Sequence, residues 1–439
     1  MARIVHSGKA CSTNPLKHSA PLGGALAFMG LDGCMPLLHG SQGCTAFALV
    51  LMVRHYRESI PLQTTAMNEV TTVLGGLDNL EQALVNIRER AHPKVIGILT
   101  TGLTETRGED FPGDLRIIRE RRPELADTAL VLASTPDFSG GLQEGWGKAV
   151  TAMIHQLVEA PALGRDPEQV NVLAPSHFTP GDVEEVKDIV EAFGLRPVML
   201  PDLSLSLDGH VPERWVGATL GGTSLEDIRG MGRSILTLTV GEHMRWAAEA
   251  LKRKTGVPYR LFDGLTGLRA SDALISALAE ASGRPVPERL RRQRSRLVDA
   301  MLDGHFAFSG RRAAVAAEPD HLLALGSWLA EMGVGMTAAI TTVHLPMLAR
   351  VPADEVVVGD LGDLEARAGG CDLLLTHAHG RQASERLGIP LFRVGFPIFD
   401  RLGAAHQVGV GYRGTCRLIF EIANILTERS ETHAAPAAR

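Results

Sequence analysis

Short aliphatic runs, each closed by a turn and followed by an amphipathic stretch, recur along this chain and constrain its fold more than any other feature. "KVIGILTTG" begins at Lys94, "TALVLASTP" at Thr128 and "EVVVGD" at Glu355. "QVNVLAPSH" at Gln169 leads into "PGDVEEVKDIVEAFG", "SILTLTVG" at Ser234 into "EHMRWAAEALKRKTG", and "RAAVAAEPD" at Arg312 into "HLLALGSWLAEMG". "CDLLLTHAHG" follows at Cys371. Strands of unbroken Val, Ile, Leu and Ala are buried on both faces, as parallel strands are. Their alternation with helices predicts βαβ units and a doubly wound α/β architecture. Gly194, Gly256 and Gly333 stand where helix C-caps should end those helices. The units resemble one another only as βα pairs, so no short-period solenoid is expected.

Two breaks divide the pattern. "EAPALGRDPEQ" (159–169) has the Pro, Gly and charge content of a linker, and "SGRPVPERLRRQRSR" opens a long helix before the strand at Arg312. The expected domains are therefore 1–160, 165–290 and 291–400. A C-terminal segment, 401–439, returns to the first domain and ends in a disordered tail, "ETHAAPAAR". A chain of 439 residues suits such a division.

Composition excludes several classes. The net charge is −6, and the densest basic stretch, 284–296, reads as a solvated helix face. No nucleic-acid partner is expected. The N-terminus lacks the apolar core of a signal peptide, and the best apolar run, Ala46 to Val53, is too short to span a bilayer. No membrane role and a cytoplasmic location follow as expectations. Cys11, Cys34, Cys44, Cys371 and Cys416 should stay reduced there, and none forms a C-x-x-C pair.

Cys44 is the cysteine with chemistry around it. In "HGSQGCTAFALVLMVRHYRE" (39–58), Gly40 and Gly43 permit a tight turn and close approach of a bulky group. The following run reads as a helix, which puts Cys44 at or just before its N-terminus, where the macrodipole favours negative charge. A nucleophile would need a base. His39 is close in sequence, but no third orienting group is evident. A buried thiol, a nucleophile and a ligand all remain open from chemistry alone. Cys34, Cys371 and Cys416 read as core, and Cys11 lies in a mobile-looking leader. If Cys44 ligates an iron–sulfur cluster, which usually needs four protein ligands, the others come from another chain.

Longer motifs add a resemblance. "NPLKHSAPLGGALAFMGLDGCMPLLHGSQGCTAF" (14–47), "IPLQTTAMNEVTTVLGG" (60–76), "LTTGLTETRGED" (99–110), "STPDFSGG" (134–141), "AAEPDHLLALGSWLAEMG" (316–333), "GDLGDLE" (359–365) and "RVGFPIFDRLG" (393–403) resemble β-type subunits of nitrogenase component 1. The matches are collinear over nearly the whole chain. The resemblance implies three Rossmann-like α/β domains, with parallel sheets flanked by helices. Catalytic subunits of that family give three cysteines to a shared eight-iron cluster. One falls at Cys44; the others would fall at Ser19 and Gly102, where this chain has no thiol. A lone thiol resembles the cofactor-assembly members.

The resemblance then implies a scaffold subunit in an α2β2 heterotetramer with an α-like partner. The two would share a [4Fe–4S] cluster ligated here by Cys44 and hold the iron–molybdenum cofactor precursor. The nitrogenase iron protein would supply electrons, and a precursor donor and apo-nitrogenase would be transient partners. No catalytic residue is assigned to this chain. The alternatives are a catalytic subunit of nitrogenase or of dark protochlorophyllide reductase, and a cluster-free Rossmann-domain protein.

Other residues carry plainer expectations. His377 and His379, in "THAHGR", read as turn or packing residues rather than as ligands of one metal. "GVGYRG" (409–414) lacks the residues of a phosphate loop. Glu69 and Glu105 have no assigned acid–base work, and Asp400 reads as a turn or ion-pair residue.

Overall fold

The structure is a computed structural model that describes residues 1–160, 164–213 and 215–434. Three sheets carry the chain, and every pairing among their strands is parallel. The first runs Gln63–Thr64, Cys34–His39, Val95–Thr100, Ala129–Ala133 in spatial order. The second runs Arg196–Leu200, Gln169–Leu173, Leu236–Val240, Tyr259–Phe262. The third has six strands: Arg3–His6, Glu355–Val358, Gly335–Thr341, Arg312–Ala316, Leu373–Thr376, Leu391–Arg393. Helices flank each sheet, so the architecture is α/β and Rossmann-like. Val95–Thr100 and Gln169–Leu173 are buried at every position, as unbroken aliphatic strands between helix layers must be.

Local chemistry sets the helix ends. Thr179 Oγ1 accepts the Asp182 N–H at 3.0 Å, and Asp182 returns the bond to the Thr179 N–H at 3.1 Å. With Pro180 behind this reciprocal cap, the helix Pro180–Ala192 starts cleanly. The helix Arg245–Thr255 stops at Gly256, whose φ of +71° suits a residue without Cβ.

Two apolar cores join the sheets. Phe28, Trp146, Leu173 and Met231 belong to one that bridges the first and second. Val172, Leu238, Trp328 and Leu329 belong to another that bridges the second and third.

The chain ends depart from the expected order. The N-terminal strand Arg3–His6 joins the third sheet, in register with Glu355–Val358. The leader after it is anchored: Lys9 Nζ lies 2.6 Å from Asp360 Oδ1, and the Thr13 N–H donates to Asp360 Oδ2 at 2.9 Å. The C-terminal helix Gly411–Ala434 packs mainly on the helix Glu288–Phe308 and also meets the helices Leu268–Ser282 and Pro180–Ala192 of the second unit, while the turn Ala404–His406 reaches the helix Gln42–Tyr56 of the first. The helical part of "ETHAAPAAR" runs to Ala434, and residues 435–439 lie outside the described residues. Within 159–169, residues 161–163 lie outside them too. The Arg165 guanidinium next to them is held by the carbonyls of Gly232 at 2.7 Å and Thr255 at 3.0 Å. The basic run at 284–296 is largely a solvated helix face, with Arg294 paired to Asp272 at 2.8 Å.

Candidate functional site

The site grows from the carboxyl edge of the first sheet, where open α/β sheets place their ligands. His39 and Thr100 end neighbouring strands in register, so the loops after them emerge side by side. The first becomes the helix Gln42–Tyr56 and the second the helix Gly102–Arg107. A Cβ on Gly40 would stand 2.5 Å from Thr101 Oγ1, so the two loops touch there and Gly40 is needed. Gly43 differs: a Cβ would meet nothing within 4 Å. Its openness leaves room beside Cys44 for an incoming group.

Cys44 is the third residue of its helix and is exposed, with Ser41 Oγ 3.4 Å from its sulfur. The reading of a buried thiol is therefore wrong for this residue. The nucleophile reading also loses its base. His39 is buried with both ring nitrogens engaged: Nδ1 with Thr65 Oγ1 at 3.0 Å, and Nε2 with Glu109 Oε2 at 3.2 Å. That contact, together with the Arg107 guanidinium, holds the Glu109 carboxyl below the usual carboxylate range despite partial burial. The His39–Glu109 pair thus stiffens the edge and leaves the thiol alone.

Around Cys44 the surface is apolar. Phe47 is 69% exposed, and Val50 and Val53 continue its stripe. Phe47, three residues on, neighbours Cys44 on the helix surface, and the stripe then turns away from Cys44 through Val50 and Val53. The side of the helix away from that stripe buries Ala48, Leu51, Met52 and Tyr56, and Cys44 is exposed at the helix start above them. Val70 and Val73, on the helix Glu69–Leu74, are exposed as well. Arg107 holds that helix beside Gly102–Arg107 by donating to the carbonyls of Thr71 and Thr72. Phe138 projects from the loop after Ala129–Ala133, beside Asp137, which accepts the Gly102 N–H at 3.2 Å. An exposed apolar surface of this kind marks an interface. Sequence reading missed it, although the i, i+3 recurrence of Phe47, Val50 and Val53 was its signal.

Ser19 is exposed at the N-cap of the helix Ala20–Met29, and Gly102 opens its own helix. Neither offers a thiol. Among the described residues, no trio of His, Cys, Asp or Glu that includes Cys44 lies close enough to hold a metal. The donor set here is one accessible thiol beside an open glycine and the exposed Phe47. It fits a cluster whose remaining ligands belong to a partner, and it does not fit a cluster held by this chain alone.

The other cysteines divide as expected, with one correction. Cys34 is buried at the start of a strand, and burial pushes its thiol up. Cys371 is buried just before Leu373–Thr376, and Cys416 packs half-buried on the core. Cys11 is exposed, in the anchored leader.

Glu105 accepts from Thr100 Oγ1 and Ser134 Oγ, both at 2.5 Å, so its place is structural. Glu69 sits in the first turn of its helix. Asp400 pairs with Arg393 at 2.7 Å. The glycines at 409–411 make no phosphate cradle, because Asp182 Oδ1 already accepts the Gly409 N–H at 2.7 Å.

The histidines take the turn and packing places expected of them: the strand ends at Thr376, His377 caps the tight turn Ala378–Gly380, and His379 lies within it. The two rings stand 5.1 Å apart, and His18 joins them.

Three parallel Rossmann-like sheets with a thiol at the carboxyl edge of the first define a class, and comparison agrees. Residues 19–427 match the family described as nitrogenase component 1 type oxidoreductase, and the chain belongs to it. A solved structure titled "Nitrogenase Cp1 at pH 6.5" superposes with a TM-score of 0.93 at 30% identity, covering 99% of this chain and 98% of that one. Within the family, the chain's place is with the NifN proteins. The protein named nitrogenase iron-molybdenum cofactor biosynthesis protein NifN from Bradyrhizobium diazoefficiens is 54% identical over 99% of this chain and 94% of its own length. Its counterpart from Mesorhizobium japonicum is 55% identical over 97% and 93%. No helix among the described residues is long and apolar enough to cross a membrane.

Proposed function

We propose that this chain is the β-like subunit of the cytoplasmic scaffold on which the iron–molybdenum cofactor precursor is matured, paired with an α-like NifE subunit in an α2β2 heterotetramer. Cys44 ligates a [4Fe–4S] cluster shared across that interface, and the three sheets form three Rossmann-like domains. The cluster, when bound, relays electrons from the iron protein. Precursor donor and apo-nitrogenase dock transiently.

The single observation that carries the reading is the exposed Cys44 beside the exposed Phe47; Ser19 and Gly102, where the resemblance would put the other cysteines of a catalytic subunit, offer no thiol. The names of the similar proteins support the pathway. This chain's own residues supply position. The helix start presents the sulfur, the open Gly43 admits the group, and Phe47 with Val50 excludes water once the partner is seated. One ligand per chain makes cluster retention depend on correct assembly. A catalytic subunit is disfavoured because glycine at 102 has no side chain to bind iron.

The test is anaerobic co-purification with the α-like partner, followed by iron content and EPR of the reduced complex, for wild type and Cys44→Ala. Loss or strong alteration of a reduced [4Fe–4S] signal in the variant is expected. An unchanged signal overturns the ligand assignment, and turnover of substrate by the wild-type complex would favour the catalytic reading.

A further inference from the structure

Away from Cys44, three histidines from distant parts of the chain meet. His18 ends the N-terminal leader, and His377 and His379 flank the turn after the strand Leu373–Thr376. One ring nitrogen of each lies within 4.8 Å of one of each of the others. The ring centroids are 5.6 Å apart for His18 and His377, and 6.4 Å for His18 and His379. Nε2 of His18 and Nδ1 of His379 are buried atoms with no hydrogen-bond partner among the described residues. Buried polar atoms are almost always paired, and an exception calls for a missing partner. Phe396 stacks edge-on to His18 and Phe399 to His379, which closes the surroundings with apolar walls.

We propose that His18, His377 and His379 form a site for a single divalent first-row transition ion of the zinc or ferrous class. All three donors are imidazoles, and no Asp, Glu or Cys joins the group. Such a set suits zinc, iron or cobalt and not magnesium or calcium. His377 Nδ1 at present accepts the His379 backbone N–H at a long 3.3 Å. Nε2 of His377 is also a buried atom without a hydrogen-bond partner, so either of its ring nitrogens can take the ion and the other keeps the ring proton. His379 is only half-buried and gives the ion its way in. An ion here would tie the leader, which runs directly into the Ser19 helix start, to the third sheet.

The test uses the full chain co-purified with its α-like partner, titrated anaerobically with Co2+ alone, for wild type, His18→Gln and His379→Ala. Wild type should bind one more tight Co2+ per chain than either variant, with a ligand-field spectrum of a nitrogen-rich site. Each variant should weaken that binding by about 100-fold or more, since even outer-shell partners of metal ligands are worth about 10–100-fold. Equal stoichiometry and affinity in all three would make the cluster a packing feature and overturn the proposal. Should both variants fail to assemble, X-ray absorption of Co2+-loaded wild type decides. Imidazole scattering from three ligands supports the site, and an oxygen or sulfur shell overturns it. The [4Fe–4S] signal of each variant is recorded alongside, so failure at Cys44 is distinguishable.

Discussion

Replacing Gly145 with alanine should damage this protein far more than one methyl group suggests. The helices Ala20–Met29 and Leu142–Leu157 cross with glycines at the contact. A Cβ on Gly145 would lie 1.8 Å from the Ala20 carbonyl oxygen, and one on Gly23 would lie 1.8 Å from that of Leu142. Side-chain Cβ atoms essentially never approach within 3.0 Å, so the helices must part by roughly 1.2 Å. The obstacle is backbone, so no rotamer relieves it. A gap of 0.5–1 Å already forfeits about a quarter to a half of each dispersion contact, and Leu22, Leu26, Trp146 and Val150 pack in this core. Overpacking costs about 1–3 kcal/mol, and a rigid double contact belongs at the top of that range. At about 1 °C per kcal/mol for a chain of 439 residues, a loss of roughly 3 °C in thermal midpoint is expected. Differential scanning fluorimetry of Gly145→Ala beside Gly43→Ala checks it, because Gly43 faces open space. A Gly145→Ala midpoint within about 1 °C of wild type would refute the reasoning.

Other perturbations separate assembly from folding. Phe47→Asp puts a charge on an exposed apolar stripe, so the melting midpoint should hold while affinity for the α-like partner falls by at least about 30-fold, as for an interface anchor worth about 2 kcal/mol. Pull-down and sedimentation read both. Gly102→Cys should fold within about 0.5 kcal/mol of wild type, because the added Cβ meets Asp137 only at an ordinary 3.5 Å. Urea denaturation measures it, and a large loss would mean that the glycine has a structural role.

Asp360 governs a pH dependence. Burial raises its carboxyl, but the Lys9 ion pair and the N–H groups of Thr13 and Asp363 outweigh burial and hold it well below the usual range. A carboxyl depressed on folding stabilises above its unfolded value of about 3.9, and that stability is lost as pH falls through the folded value. The melting midpoint of wild type should therefore fall more steeply below about pH 4 than that of Asp360→Asn, and parallel slopes would count against this.

What a local run of residues can specify was legible. Val95–Thr100, Gln169–Leu173 and Arg312–Ala316 are strands because an unbroken aliphatic run between turns satisfies a two-sided core without distant information. Cys34–His39 was harder to read, since Pro36 sits in a strand with neighbours on both sides, where proline is rarely found. Cys44 stood out from its glycine turn, and longer motifs supplied the ligand role. The tertiary structure decided the rest. Arg3–His6 is the edge strand of a sheet whose nearest strand begins at Glu355, a pairing across nearly the whole chain that no local run can specify. His18 meets His377 only through that same closure, and Phe47 is exposed only because the opposite face of its helix is the one that packs. Periodicity within a segment reports how much of it must be buried. Which surface buries it is settled by the whole chain closing on itself.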